Sequence, residues 1–286
     1  MTVENDSRVK TLIAEATASL MRARIEEPRR EARILFEIAY GHDISWQMMN
    51  PDSVMPNAQS FFALVQRRAD HEPVAYLKGE KGFWTLDLEV TRDTLIPRGD
   101  TETLIEALIR YRPDRASVSS VLDLGTGSGC LLLAALIEYP QAMGVGVDYM
   151  EGTARQAAHN ATLNQLDQRA FFIVAEWMNP LAARFDVVLS NPPYIPSRDI
   201  GGLMRDVADY EPMIALDGGT EGLDAYRAII PRLPDVLTPE GIAILEFGIG
   251  QAEDVQQIAQ SAGLKTVELC SDLAGVTRAI VLSRSF

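Results

Sequence analysis

The stretch Val121–Gly129, V-L-D-L-G-T-G-S-G, decides the fold. Its first half reads as a buried strand, and its glycines turn that strand directly into the apolar run Cys130–Ile137. Glycines at a strand-to-helix turn let the backbone approach a ligand, and the helix start offers unpaired N–H groups. Downstream the same alternation continues. A strand over Ser120–Leu124 is followed by a helix through Tyr139, then a strand over Met143–Val147 and a helix over Gly152–Leu163. Further strands are expected at Phe171–Val174, Val187–Leu189, Ile242–Phe247, Thr266–Cys270 and Ala279–Leu282, with helices over Leu223–Leu237 and Ala252–Ala262. Seven strands with intervening helices specify an α/β doubly wound sheet with helices on both faces. No helix fits between the last two strands, so the final one is expected to run antiparallel.

Upstream the period is different. Val9, Leu12, Ile13, Ala16 and Leu20 recur at helical steps, Pro28 can open a second helix that Gly41 closes, and Ala58–Ala69 reads as another. Phe83–Val90 alternates as a strand does and is expected to form a hairpin with Thr94–Ile96. The expected organisation is a helical N-terminal domain at 1–78, a β-hairpin linker at 79–98 and an α/β domain at 99–286.

Composition limits the function classes. Apolar residues make up 47% of 286, enough for a sizeable core. The net charge of −14 is uneven: residues 1–84 hold 11 Lys/Arg against 12 Asp/Glu, and 85–286 hold 15 against 28. An acidic second part argues against binding nucleic acid through its phosphates. The first ten residues are too polar for a secretory signal, and no apolar run approaches a membrane span. Cys130 and Cys270 lie in apolar segments, as buried thiols do. His42, His71 and His159 are far apart and give no metal-ligand spacing. A cytoplasmic protein without a metal is expected.

The glycine loop is G-x-G-x-G, with Cys130 where a dinucleotide fingerprint would need its third glycine. Asp123 precedes it. A carboxylate there suits a ligand with a cationic part, such as S-adenosylmethionine (AdoMet), better than a pyrophosphate. Asp148 closes the second strand 23 residues after Gly125, placed to bind ribose hydroxyls. Trp177, after the third strand, is placed to stack on an adenine; the alternative for it is plain packing. For the loop itself the alternative is a tight turn without a ligand.

The fourth strand ends in L-S-N-P-P-Y-I-P, Leu189–Pro196. Strand ends of such a sheet face the ligand crevice, so Asn191 should meet the glycine loop there. A planar N–H₂ group attacks a methyl sulfonium poorly, because its lone pair is delocalised. Accepting hydrogen bonds from both N–H groups polarises and orients it. Asn191 can accept one through its side chain and Pro192 the other through its carbonyl, which Pro193 holds extended. Tyr194 offers a flat face for stacking. A strand stop with an aromatic plug is the alternative, and on these residues alone both adenine and glutamine remain possible substrates.

Taken together, G-T-G-S-G at 125–129, V-D at 147–148, N-P-P-Y-I at 191–195 and L-I-P-R-G-D-T-E at 95–102 resemble the PrmC (HemK) family. These are N5-glutamine methyltransferases of peptide chain release factors. The resemblance extends to H-E-P-V-A-Y-L-K-G, Phe83-Trp84, Y-E-P and A-L-D-G-G-T-E-G-L at 215–223. It implies a class I AdoMet-dependent methyltransferase fold and methyl transfer to the glutamine of a Gly-Gly-Gln loop, leaving S-adenosyl-L-homocysteine. The implied cofactor contacts are Asp123, Gly125, Thr126, Gly127, Ser128, Gly129, Asp148, Trp177 and Asn191. The implied substrate and catalytic loop is Asn191, Pro192, Pro193 and Tyr194, with the N-terminal domain helping to dock the release factor. Gly99 departs from the family, which usually has a second proline there. The competing expectations are a ribosomal-protein glutamine methyltransferase, with the same chemistry, and a DNA adenine N6-methyltransferase, which would need a basic groove.

Overall fold

The computed structural model describes residues 6–179 and 181–285. The chain forms two compact units. One runs to Gly79 and takes in Met204–Tyr210, and the other comprises Glu80–Leu203 and Glu211–Phe286.

The first unit is helical: α1 (Val9–Arg22), α2 (Pro28–Tyr40), α3 (Ile44–Met49), α4 (Ala58–Ala69) and α5 (Val74–Lys78). In α1 the residues buried are Val9, Leu12, Ile13, Ala16 and Leu20, the stripe the sequence shows. Pro28 stands at the start of α2, and Gly41 ends it in the left-handed region at φ 71°. The returning Met204–Tyr210 segment is fastened by charge, with Asp206 2.8 Å from the buried Arg68 guanidinium and 3.0 Å from the His71 ring. Nothing in the local sequence pattern signals that return.

The second unit opens on a hairpin, β1 (Glu80–Phe83) with β2 (Leu86–Glu89). This corrects the expected pairing with Thr94–Ile96, which is not a strand. The alternation across Phe83–Val90 is interrupted by a two-residue turn at Trp84-Thr85 that lacks the usual Gly or Asn. Trp84 takes the left-handed φ of 55°, held by its N–H on Glu102 and its indole N–H on Glu138, each at 2.7 Å. Phe83, Leu86 and Leu88 are buried in the same core as Leu104 and Leu108 of α6 (Glu102–Tyr111).

The sheet follows: β3 (Ser120–Leu124), β4 (Met143–Asp148), β5 (Ala170–Val174), β6 (Phe185–Ser190), β7 (Leu237–Glu246), β8 (Leu264–Ser271) and β9 (Thr277–Arg284). Their order is β5-β4-β3-β6-β7-β9-β8, and β9 alone runs against the direction of the other six strands. Helices α7 (Cys130–Glu138) and α8 (Glu151–Leu163) follow β3 and β4, and the short α9 (Arg205–Ala208) lies in the returning segment. One sheet face is covered by α6, α7 and the hairpin; the other carries α10 (Asp224–Ile229), α11 (Leu233–Val236) and α12 (Ala252–Ser261). The single helix expected over Leu223–Leu237 is broken by a 3-10 turn at Ile230–Arg232, where Pro231 and then Pro234 remove backbone donors. No helix among the described residues is long and apolar enough to cross a membrane. Strand order reverses direction at β3, between β4 and β6, and this is where a doubly wound sheet opens its ligand crevice.

Gly99 starts a 3-10 turn leading into α6, with open space where a side chain would sit. Arg98 before it has φ −100° and ψ 145°, the extended geometry a following proline requires. Gly99→Pro is therefore expected to stabilise the protein by about 0.4–1 kcal/mol, through a less flexible unfolded chain. A thermal unfolding midpoint that falls in this variant would show that the turn is not preformed.

Candidate active site

The carboxyl ends of β3, β4 and β6 open into a cleft of about 640 Å³. Gly125, Thr126, Gly127 and Ser128 line one wall, Asp148 and Trp177 a second, and Asn191 and Pro193 a third. Thus most of the residues expected at the site from sequence meet in one place. Asp123, Gly129, Pro192 and Tyr194 stand behind the walls rather than in them.

The loop's shape follows from its sequence. Gly125 takes φ 70°, which a residue with a side chain rarely adopts. The N–H groups of Gly125 and Thr126 both donate to the Val147 carbonyl, at 2.9 and 3.0 Å, tying the loop to the end of β4. Gly127 N–H donates to Asp148 Oδ2 at 3.0 Å, and Met150 N–H to Oδ1 at 3.1 Å. Burial raises the proton affinity of Asp148 while these donors lower it. Beneath the loop, Asp123 is fully enclosed; its Oδ2 accepts from the Thr126 hydroxyl at 2.7 Å and its Oδ1 has no partner among the described residues. Desolvation pushes this carboxyl up to about 7, and Asp148 nearby adds to the effect. Trp177 has φ 47°, a strained setting for an aromatic residue, and its indole lies 3.7 Å from where a methyl at Gly125 would be.

The Asn-Pro-Pro-Tyr loop is fixed from three sides. Ser190 Oγ donates to the Leu124 carbonyl at 2.7 Å, locking the end of β6 to the end of β3. Asn191 Nδ2 donates to Thr101 Oγ1 at 3.1 Å. The Tyr194 hydroxyl donates to Glu246 Oε1 at 3.3 Å, so the ring is anchored on the sheet side of the loop. Burial and the adjacent Glu246 carboxylate raise the Tyr194 phenol well above its ordinary range.

The 215–223 segment, matched in sequence without a role, clamps this loop through its backbone. Ile195 N–H donates to Leu216 O at 3.0 Å, Gly218 N–H to Ile195 O at 2.9 Å and Ser197 N–H to Gly219 O at 2.9 Å. Gln251 Nε2 then bridges the Tyr194 and Gly222 carbonyls, at 2.9 and 3.1 Å. Gly222 has φ 75°, and a methyl there would lie 2.3 Å from the Tyr194 carbonyl oxygen. Gly222→Ala is expected to cost about 1–3 kcal/mol from backbone strain, before any cost of the collision. An unchanged thermal midpoint in that variant would contradict so tight a clamp.

The polar residues of I-P-R-G-D-T-E each have a task. Arg98 pairs with the buried Glu211, whose other oxygen accepts from Ile96 N–H at 3.3 Å. Asp100 pairs with Arg278 at 3.0 Å, Thr101 holds Asn191, and Glu102 holds Trp84. Sequence reasoning gave no role to Glu246 or Gln251. Glu246 carried a usable signal, an acid closing an apolar strand, the pattern that singles out Asp148; Gln251 carried none.

Two family profiles match this chain, the PrmC N-terminal domain over residues 11–79 and the methyltransferase small domain over 100–204. A release factor glutamine methyltransferase of Rhodospirillum rubrum is 43% identical over 264 residues, covering 92% of this chain and 81% of the relative. Its counterpart in Bradyrhizobium diazoefficiens is 39% identical, covering 92% and 90%. Among solved structures, a methyltransferase from Pyrococcus furiosus superposes with a TM-score of 0.53 at 16% identity, covering 72% of this chain and 92% of that one, a likeness of fold alone. With this cleft, this sheet order and relatives of such identity over nearly its whole length, the chain belongs to the release factor glutamine methyltransferase family.

Proposed function

We propose that the protein transfers a methyl group from AdoMet to the side-chain amide nitrogen (N5) of the glutamine in the Gly-Gly-Gln loop of peptide chain release factors. The observation that carries this reading is the Asn191 amide at the cleft wall, anchored through Nδ2 on Thr101 so that its oxygen is left for a substrate N–H.

The residues present fit the cofactor. The cleft is within the usual 300–1,000 Å³ of small-molecule sites. Asp93, Asp148, Glu176, Asp217 and Asp224 line it against a single guanidinium, Arg98, which Glu211 neutralises. Such a lining favours a cation and disfavours the phosphates of a nucleic acid. When bound, AdoMet supplies a methyl group on a sulfonium and departs as S-adenosyl-L-homocysteine. The loop of Gly125, Thr126, Gly127 and Ser128 would lie along it, Asp148 would accept from its ribose hydroxyls, and Trp177 would border its adenine. Asp123 and Gly129 act from beneath, by holding Thr126 and by starting α7.

Asn191 Oδ1 accepts from one N–H group of the substrate amide, polarising its nitrogen, and the Pro192 carbonyl, which stands behind the cleft wall in the free protein, is the expected acceptor for the other once the amide is bound. Pro193 keeps Pro192 extended, and Tyr194 supports the loop through Glu246. The helical first unit serves as the docking module for the release factor. This substrate places the enzyme in the cytoplasm.

The test is to incubate the protein and AdoMet separately with a release factor, a ribosomal protein and DNA, then to locate any added methyl by mass spectrometry. A single methyl on the Gly-Gly-Gln glutamine is expected. Methylation of DNA or of the ribosomal protein, with the release factor untouched, would overturn the assignment.

A further inference from the structure

Among the described residues that line the cleft, Arg98 carries the one guanidinium, and the methyl transfer itself leaves most of its N–H groups without a task. It stands on the wall that Thr101, Asn191 and Pro193 share. The placement follows from the chain. A 3-10 turn over Gly99–Thr101 joins Arg98 to the threonine that holds Asn191, and Thr101 N–H donates to the Arg98 carbonyl at 3.2 Å. Pro97, Pro212 and Ile214 line the same cleft and supply apolar surface.

The guanidinium is held from behind. Its Nη2 donates to Glu211 Oε1, on a side chain that is 1% exposed, and Ile96 N–H occupies the other carboxylate oxygen at 3.3 Å. A buried carboxylate at one corner offsets the positive charge and fixes the guanidinium plane. Arg98 nevertheless remains 39% exposed, and its other N–H groups have no acceptor among the described residues. The result is an oriented fork of donors with its charge already compensated, opening on the cleft that also holds Asn191. A phosphate or a carboxylate is drawn by a guanidinium whose charge is free. A neutral carbonyl needs only the donors. A Gly-Gly-Gln loop carries main-chain carbonyls near its glutamine amide, and its glycines let that backbone come close to a wall.

We propose that Arg98 is a substrate-binding residue that donates to a main-chain carbonyl of the Gly-Gly-Gln loop, reading the peptide backbone while Asn191 reads the side-chain amide. Glu211 is its positioning residue and touches no substrate atom. Together they favour a polypeptide over a nucleobase, because adenine brings no peptide carbonyl with it. This inference rests on the proposed methyl transfer to that loop.

Two measurements test it. The first is calorimetric binding of a release factor in the presence of S-adenosyl-L-homocysteine, alongside the methyl transfer assay. Arg98→Lys keeps a cation for Glu211 but loses the fork, and the double variant Arg98→Met with Glu211→Gln removes both charges together. Each should weaken binding of the factor, the double variant by about 10–150-fold, the range for one hydrogen bond to a charged group. The KM for the factor should rise in step, with kcat little changed and AdoMet affinity preserved. The second measurement separates contact from mere support of the fold. A release factor assembled by ligation carries an ester in place of the peptide bond after each residue of Gly-Gly-Gln in turn, which weakens one carbonyl as an acceptor. At one position the ester should weaken binding to the wild-type enzyme and leave binding to Arg98→Lys unaffected. Unchanged factor affinity in both variants, or esters that weaken wild type and Arg98→Lys equally, would overturn the proposal. So would a fall in AdoMet affinity, which would assign Arg98 to the cofactor carboxylate, or a DNA affinity that Arg98→Lys abolishes. If the wild-type enzyme binds the release factor but methylates another residue of it, the function assignment fails, while the ester series still decides this one.

Discussion

Asn191→Ala lowers kcat for glutamine methylation by about 10²–10³, the usual consequence of removing one preorganised polar contact to a reacting group. The effect is large because the substrate nitrogen has little nucleophilicity of its own. Without the Asn191 oxygen, one N–H loses its acceptor in the cleft and the amide plane is held from one side only. The surrounding frame survives: Ser190 still locks β6 to β3, and Gln251 still holds the Tyr194 carbonyl. Binding of AdoMet, measured by calorimetry, should therefore survive the substitution. Turnover near the wild-type value would remove Asn191 from the reaction.

Asp148→Ala is the counterpart on the cofactor side. Asp148 presents two oxygens at the end of β4, and both already organise backbone donors, Gly127 N–H and Met150 N–H. Its loss removes a charged acceptor for ribose hydroxyls and releases the centre of the glycine loop. Hydrogen bonds to charged groups contribute about 1.5–3 kcal/mol, so AdoMet affinity should fall by roughly 10–150-fold. Unchanged calorimetric affinity would exclude the ribose role. The two variants should separate cleanly, one losing kcat and the other losing cofactor affinity.

The sheet was legible in the sequence because its strands are short apolar runs ending at glycine, acid or proline, and those punctuators act locally. Ser120–Leu124 and Ala58–Ala69 are read from pattern to the residue. The hairpin was misread because its turn is made by Trp84, whose left-handed backbone is imposed by Glu102 and Glu138, far along the chain. The return of Met204–Tyr210 to the helical unit depends on Arg68 and Asp206, a pairing no periodicity can reveal. In the cleft, the walls were legible and the supports were not. Gly125, Asp148 and Asn191 belong to compact motifs, whereas Thr101, Glu246 and Gln251 act across 50 or more residues of sequence.

The position of β9 has a consequence for how the enzyme comes into being. This strand lies between β7 and β8 yet is translated after both. Until it emerges, one edge of β7 has no partner, and an open apolar edge is prone to mispairing. Phe247 N–H lacks the Arg278 carbonyl, and Asp100 lacks its guanidinium. A nascent chain that already carries the glycine loop, the Asn-Pro-Pro-Tyr loop and Glu246 is thus a set of parts without a finished frame. The frame behind the cleft is complete only when this last-made strand has paired with both β7 and β8.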